Sequence, residues 1–260
     1  MDFAVQWPGM PQNLSARDLQ FTLLQARNPT DRVRNEERDA FANRLGVEAH
    51  QIQQVDILRD PLELPQPSPN HAILVGGAGE YGVVNPIAPV QAMIDYLATA
   101  AEHGHAIFAS CFGFQALVVG FGGEVVEDED NAEVGTYPLT VTEHAAGDAV
   151  FGGLPARFNA QLGHKDRAVR LPRGMINLAA SEACPIQALH IPGSRVYATQ
   201  FHPELTWLDN RTRFLRYMDQ YGRLFGQEEA QRRLDSHTPG PEANELLGRF
   251  VQNVLLAESK

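Results

Sequence analysis

Cysteine is scarce in this chain: two in 260 residues, Cys111 and Cys184, too few for a disulfide framework or a multi-cysteine zinc site. Each is therefore judged as a free thiol. Positive charge is also short, with 21 Lys and Arg against 32 Asp and Glu and a formal charge of -11. That balance disfavours a grip on nucleic-acid phosphates or on an anionic membrane surface, because both need a local surplus of cations. No stretch approaches the roughly 20 apolar residues of a spanning helix, and Met1 to Pro11 lacks the basic-then-apolar order of a signal peptide. The expectation is a cytoplasmic protein with neither nucleic acid nor membrane as partner.

What is present suffices for one sizeable core: the hydrophobic content is 43%. Residues 1–20, with Pro8 and Pro11, read as an irregular lead-in. Phe21 to Ala26 reads as a first strand, residues 30–45 as a helix ended by Gly46, and Gln51 to Leu58 as a second strand. His71 to Val75 and Ala106 to Ala109 are short apolar runs of the kind buried on both faces of a sheet. A helix over 86–103 separates them, and Phe114 to Val119 is helical again. Strand and helix alternating through short turns predict a parallel α/β sheet.

From Gly122 to Gln200 the texture changes to short strands between glycine and proline turns: Val134 to Val141, Phe158 to Leu162, Ile186 to His190 and Val196 to Gln200. This is a strand-rich return, not a second domain. Thr206 to Gly226 and Pro241 to Leu256 are helical by pattern. In the last, Leu246, Leu247, Phe250, Val251, Val254 and Leu255 form an apolar stripe, either a core-facing helix or a seam of a homo-oligomer, and packing on the main domain is the expectation.

Three segments carry chemistry. In Ala109-Ser110-Cys111-Phe112-Gly113-Phe114-Gln115 a buried strand meets a helix at a cysteine with small neighbours. A sharp turn there would hold a nucleophile toward substrate, and the helix N-terminus beyond it favours thiolate. Taken alone, such a cysteine is more often a small buried hydrophobe. Gly76-Gly77-Ala78-Gly79-Glu80-Tyr81-Gly82 contains G-x-G-x-x-G, but the helix that follows is delayed to Pro86 and the run follows the third strand instead of the first. Its bare amides suit an oxyanion better than a dinucleotide, with a plain turn as the alternative. In Gln200-Phe201-His202-Pro203-Glu204, proline biases His202 to an extended backbone. His202 and Glu204 then project from a strand end at i and i+2, one as base and one as its orienter, unless they are merely a satisfied polar pair. Cys184 has no comparable setting and reads as structural.

In that order, cysteine elbow, upstream glycine turn and downstream His-Pro-Glu, the chain resembles the triad-type class I glutamine amidotransferases. Further segments match, among them His164-Lys165-Asp166 and Pro185-Ile-Gln-Ala188, and resemble the glutaminase domain of GMP synthase and its stand-alone relatives. The resemblance covers residues 21–215 and implies a flavodoxin-like open, mostly parallel sheet flanked by helices, followed by a C-terminal helical extension. It divides the chain into a lead-in at 1–20, the main domain at 21–225 and the extension at 226–260. It makes Cys111 the nucleophile, His202 the general acid and base and Glu204 its orienter. Amides of Gly77 and Phe112 would form the oxyanion hole and Gln115 would fix the substrate or the elbow, with no metal and no cofactor.

Ala109 stands where the family commonly has glycine, and Phe114 where it often has histidine; Phe114 is expected to make the pocket floor or an adjoining contact more apolar. Three functions follow as alternatives. The first is a glutaminase passing ammonia to a separate synthase subunit, since no Ser-Gly-Gly-Val-Asp-Ser-type loop is present. The second is a self-sufficient γ-glutamyl hydrolase or peptidase using the same triad on another γ-glutamyl amide, and the third a non-catalytic module of the same fold.

Overall fold

A computed structural model describes residues 14–257; most of the expected lead-in lies outside the described residues. Nine strands form one sheet in the order β2-β1-β3-β4-β11-β10-β9-β6-β7. They are β1 Gln20–Gln25, β2 Ile52–Asp56, β3 His71–Val75, β4 Ala106–Ser110, β6 Glu133–Val141, β7 Arg157–His164, β9 Ile176–Ala180, β10 Ala188–His190 and β11 Val196–Thr199. From β2 to β11 every neighbouring pair is parallel; from β11 through β10 to β7 the pairs are antiparallel. The strand-rich return thus extends the same sheet. The remaining strands, β5 Glu124–Glu127 and β8 Asp166–Arg170, pair separately.

Both faces of the parallel half are covered, and side-chain alternation says how. Ala72, Leu74, Phe108 and Tyr197 enter one core, while Ile73, Val75, Ile107 and Ala198 enter the other. The first core is closed by α1 (Val33–Leu45) through Phe41 and Leu45, and by the helical turns α7 (Pro241–Asn244), α8 (Leu246–Phe250) and the π-helical Val251–Leu255. The stripe of Leu246, Leu247, Phe250, Val251 and Leu255 is buried there, with Phe250 edge-on to Phe108 at 5.4 Å. The second core is closed by α2 (Ala88–Glu102) and α3 (Phe112–Gly120). This is the flavodoxin-like arrangement.

The helix expected over 206–226 breaks at Tyr217 into α4 (Trp207–Arg216) and α5 (Met218–Phe225), and α6 (Gln227–Asp235) follows. Phe214, Ala230 and Leu234 of these helices bury a third small cluster with Val134. The three helices therefore sit over the carboxyl end of the sheet. Buried Asn210 fixes α4 there, its amide donating to the carbonyls of Gly135 and Leu162, and Arg216 clasps Glu36 of α1 through two bonds of 2.7 and 2.8 Å. Among the described residues no helix is long and apolar enough to cross a membrane.

Candidate active site

Three loops leave the carboxyl ends of neighbouring parallel strands: Gly76-Gly77 after β3, Cys111 after β4, and Gln200 to Glu204 after β11. This edge is where open α/β sheets collect their ligands. Cys111 has φ 52 and ψ -103, a positive φ that a non-glycine residue adopts at a cost of about 1–3 kcal/mol. The neighbours hold it there: its N–H donates to Thr199 O at 2.7 Å, while α3 starts at the next residue. Gly113 lets α3 lie directly on the sheet, since a Cβ there would stand 2.6 Å from Val75 Cβ and 2.9 Å from Ala109 Cβ. Ala109 fits beneath that contact without a left-handed backbone. Phe114 lines neither cavity beside the thiol but is wholly buried in the adjoining core shared with α2, so it adds apolar surface behind the elbow and not in the pocket itself.

His202, 6% exposed, has Nδ1 2.6 Å from Glu204 Oε1, and the Cys111 sulfur acts on the same imidazole electrostatically, both residues lining one cavity. Burial opposes a charged ring, but the Glu204 carboxylate and the Cys111 sulfur outweigh it and push the His202 pKa up to about 10. Glu204 is 1% exposed, and its second oxygen, Oε2, has no partner among the described residues.

Gly77 does not present its amide to the thiol. Its N–H donates to Glu37 Oε1 at 3.2 Å and its carbonyl accepts from Arg27 Nη2 at 3.0 Å, so the expected oxyanion donor is engaged behind the loop. Buried Glu37 and Arg27 form a salt bridge of 2.9 Å, and the Glu37 carboxyl is held below its usual range: burial opposes this, but Arg27 outweighs it. Gly77 instead packs on the His202 ring; a Cβ there would lie 3.0 Å from Cε1. The neighbouring Ala78 amide carries no hydrogen bond among the described residues, and Ala78 borders both cavities at the thiol. The Phe112 amide, first in α3, has no partner within its helix.

Gln115 donates to Asp166 O at 2.9 Å and to Gln200 Oε1 at 3.2 Å, and Gln200 Nε2 lies 3.7 Å from Cys111 Sγ. Gln115 therefore reaches the elbow through Gln200, a buried residue to which the sequence reading assigned no role. Its position just before His202 was the available signal.

A second Cys-His-Glu cluster lies alongside. Donor atoms of Glu133, His164 and Cys184 come within 4.8 Å of one another, all buried. The set has metal-ligand chemistry, yet its atoms are already committed: Glu133 Oε2 receives Gln187 Nε2 at 2.6 Å and faces His164 Nε2 at 3.2 Å, and His164 Nδ1 bonds Asp166 O. The Cys184 thiol donates weakly to Asn131 O at 3.9 Å, and burial, first, and then Glu133 push its pKa well above the ordinary value, which suits a weak donor and not a nucleophile.

Two cavities meet at Cys111. One, of about 240 Å³, runs past Phe112 and Gln115 to Lys165 and Asp166. Among the described residues Asp166 Oδ1 has no hydrogen-bond partner, Lys165 Nζ standing 4.0 Å away, and burial raises the pKa of its carboxyl. The other, of about 130 Å³, runs past His202 to Arg27, Asn210, Arg213 and Tyr217. The cationic wall of α4 is a feature that sequence reading missed.

Comparison with known proteins agrees with this architecture. Residues 37–218 match the family described as Glutamine amidotransferase class-I. One subunit of the glutamine-hydrolyzing GMP synthase of Thermococcus kodakarensis is 30% identical over 161 residues, covering 62% of this chain and 78% of that protein. The glutamine-hydrolyzing GMP synthase of Thermosipho melanesiensis is 40% identical over 100 residues, 38% of this chain but only 18% of that protein's length. Among solved structures, a glutamine amidotransferase from Thermotoga maritima superposes with a TM-score of 0.67 at 16% identity, covering 94% of this chain and all of that one. A glutamine amido transferase from Methylobacillus flagellatus gives 0.64 at 13%, covering 91% and 95%.

Proposed function

From the premise that this chain belongs to the glutamine amidotransferase class-I family, we propose that it hydrolyses γ-glutamyl amides, glutamine among them, through a thioester on Cys111. The observation that carries this reading is the His202 ring bonded to Glu204 and lining one cavity with Cys111.

The thiolate of Cys111 adds to the γ-carbonyl carbon, and the developing oxyanion is met by the Phe112 amide and by that of Ala78, with Gly77 engaged by Glu37. His202 gives its proton to the departing nitrogen, then accepts one from the water that attacks the thioester, and Glu204 keeps the ring oriented throughout. The reactant's α-ammonium and α-carboxylate find complementary charges in Asp166 and Lys165 on the Phe112 side. Gln115 and Gln200 position the elbow. No step calls on a metal or cofactor.

Two uses of this chemistry remain distinct. The relatives named as one subunit of a glutamine-hydrolyzing GMP synthase support ammonia delivery to a separate synthase subunit. The cover of α4 and α5 over the thiol, clasped to α1 by Arg216 and Glu36, supports a self-sufficient hydrolase. Ammonia and glutamate release should be followed for wild type and Cys111→Ala with glutamine and other γ-glutamyl amides. Turnover by wild type that Cys111→Ala abolishes is the expected result; equal rates in the two would sink the reading.

A further inference from the structure

The two cavities at Cys111 differ in chemistry, and the reaction assigns each an end of the reactant. The carbonyl oxygen must lie toward the Phe112 amide, and the departing nitrogen must lie toward His202, its proton donor. The glutamyl part then occupies the cavity of Gln115 and Asp166, and whatever the nitrogen carries enters the cavity of Asn210, Arg213 and Tyr217.

Ammonia leaves that second cavity with nothing to recognise. Its wall nevertheless holds two guanidinium groups in different states. Arg27 is neutralised by Asp31 at 3.1 Å and Glu37 at 2.9 Å. Arg213 feels the charges of Glu36 and Glu37 at a distance, but among the described residues its side chain makes no hydrogen bond and no ion pair. It is half-buried, on a helix fixed by Asn210 on one side and Arg216 on the other. A guanidinium in such a position matches a carboxylate in a bidentate pair.

Resting on the hydrolase reading above, we infer that the His202-side cavity is a subsite for a carboxylate borne on the leaving amine, with Arg213 as its anchor. The substrate class is γ-glutamyl amino acids. The bonds balance: the Cys111 sulfur bonds the γ-carbon, the C–N bond breaks, and the nitrogen takes the His202 proton and leaves as a free amino acid. Water then converts the thioester to glutamate, and thiol and imidazole regain their protons.

The test compares kcat/KM for γ-glutamylglycine and γ-glutamylethylamide, which differ chiefly in the carboxylate, with glutamine as a third substrate and the variants Arg213→Gln and Arg213→Lys. Wild type should favour γ-glutamylglycine over the ethylamide at least about tenfold. Arg213→Gln should bring that ratio near unity, chiefly through KM, and Arg213→Lys should restore part of it. A wild-type ratio near unity, or a ratio unchanged in Arg213→Gln while both rates fall together, overturns the subsite. Cys111-dependent hydrolysis of glutamine with no such preference defeats the subsite alone; no Cys111-dependent hydrolysis of any of the three defeats the hydrolase reading and the subsite with it.

Discussion

Nδ1 of His202 stands 2.6 Å from Oε1 of Glu204 inside the protein, and the Cys111 sulfur adds its charge to the surroundings of the same ring. Replacing the carboxylate by an amide keeps the shape and removes the charge that holds the ring's proton and tautomer. Glu204→Gln should lower kcat by about 10²–10⁴-fold with little change in fold, as measured by steady-state hydrolysis beside far-UV dichroism.

The same relationship makes stability depend on pH. Folded His202 keeps its proton up to about 10, whereas an unfolded histidine loses it near about 6.5. The folded state therefore binds more protons between those values, and stability falls as pH rises through them. The contribution is complete below about 6.5 and gone above about 10. Urea midpoints measured across that range should decline more steeply for wild type than for His202→Asn; parallel curves would contradict the assignment.

Behind the glycine loop, Glu37 fills space that only glycine leaves open: a Cβ at Gly76 would stand 2.4 Å from Glu37 Oε1. A carboxylate tip can usually swing aside. This one is tied to Arg27, Gln25 and the Gly77 amide, so it cannot move cheaply. Gly76→Ala should cost about 1–3 kcal/mol, and Glu37→Ala, which leaves the buried Arg27 charge with Asp31 as its one carboxylate partner, about 3 kcal/mol, both read from chemical denaturation.

How much of this was legible follows from what each feature depends on. β3 and β4 are buried on both faces, so their sequences are continuous apolar runs and were readable. β5 was not, because Glu124–Glu127 buries neither end residue; α6 falls inside the expected helical extension at 226–260, but with only Ala230 and Leu234 buried its bounds carried no signal. Cys111, His202 and Glu204 stand within a few residues of strand ends, so local pattern placed them on one edge. The direction of the Gly77 peptide was beyond reach, since Glu37, 40 residues earlier, sets it. Arg213 was hidden for a similar reason: its place at the thiol depends on how α4 docks on β6 and β7.

The elbow itself separates the two small residues flanking Cys111. Gly113 is required by contact, with Val75 Cβ 2.6 Å from where its own Cβ would be. Gly113→Ala should push α3 off the sheet, costing about 1–3 kcal/mol and most of the activity. Ala109 has an ordinary strand backbone and a buried methyl, so Ala109→Gly should cost about 1 kcal/mol and gain no rate. Denaturation and kinetics on the two variants would distinguish them; an Ala109→Gly variant faster than wild type would mean that the alanine constrains the turn.

The two thiols should differ sharply in reactivity. Cys111 borders both cavities, where a reagent can reach it, and shares one of them with His202. Cys184 has no exposed surface, and burial together with Glu133 keeps it protonated. A chloroketone analogue of glutamine should therefore label native protein once, at Cys111, and peptide mapping should find Cys184 unmodified until the protein is denatured. Labelling of Cys184 in the native state, or equal labelling of a Cys111→Ala variant, would place the nucleophile in the second cluster and overturn the site described here.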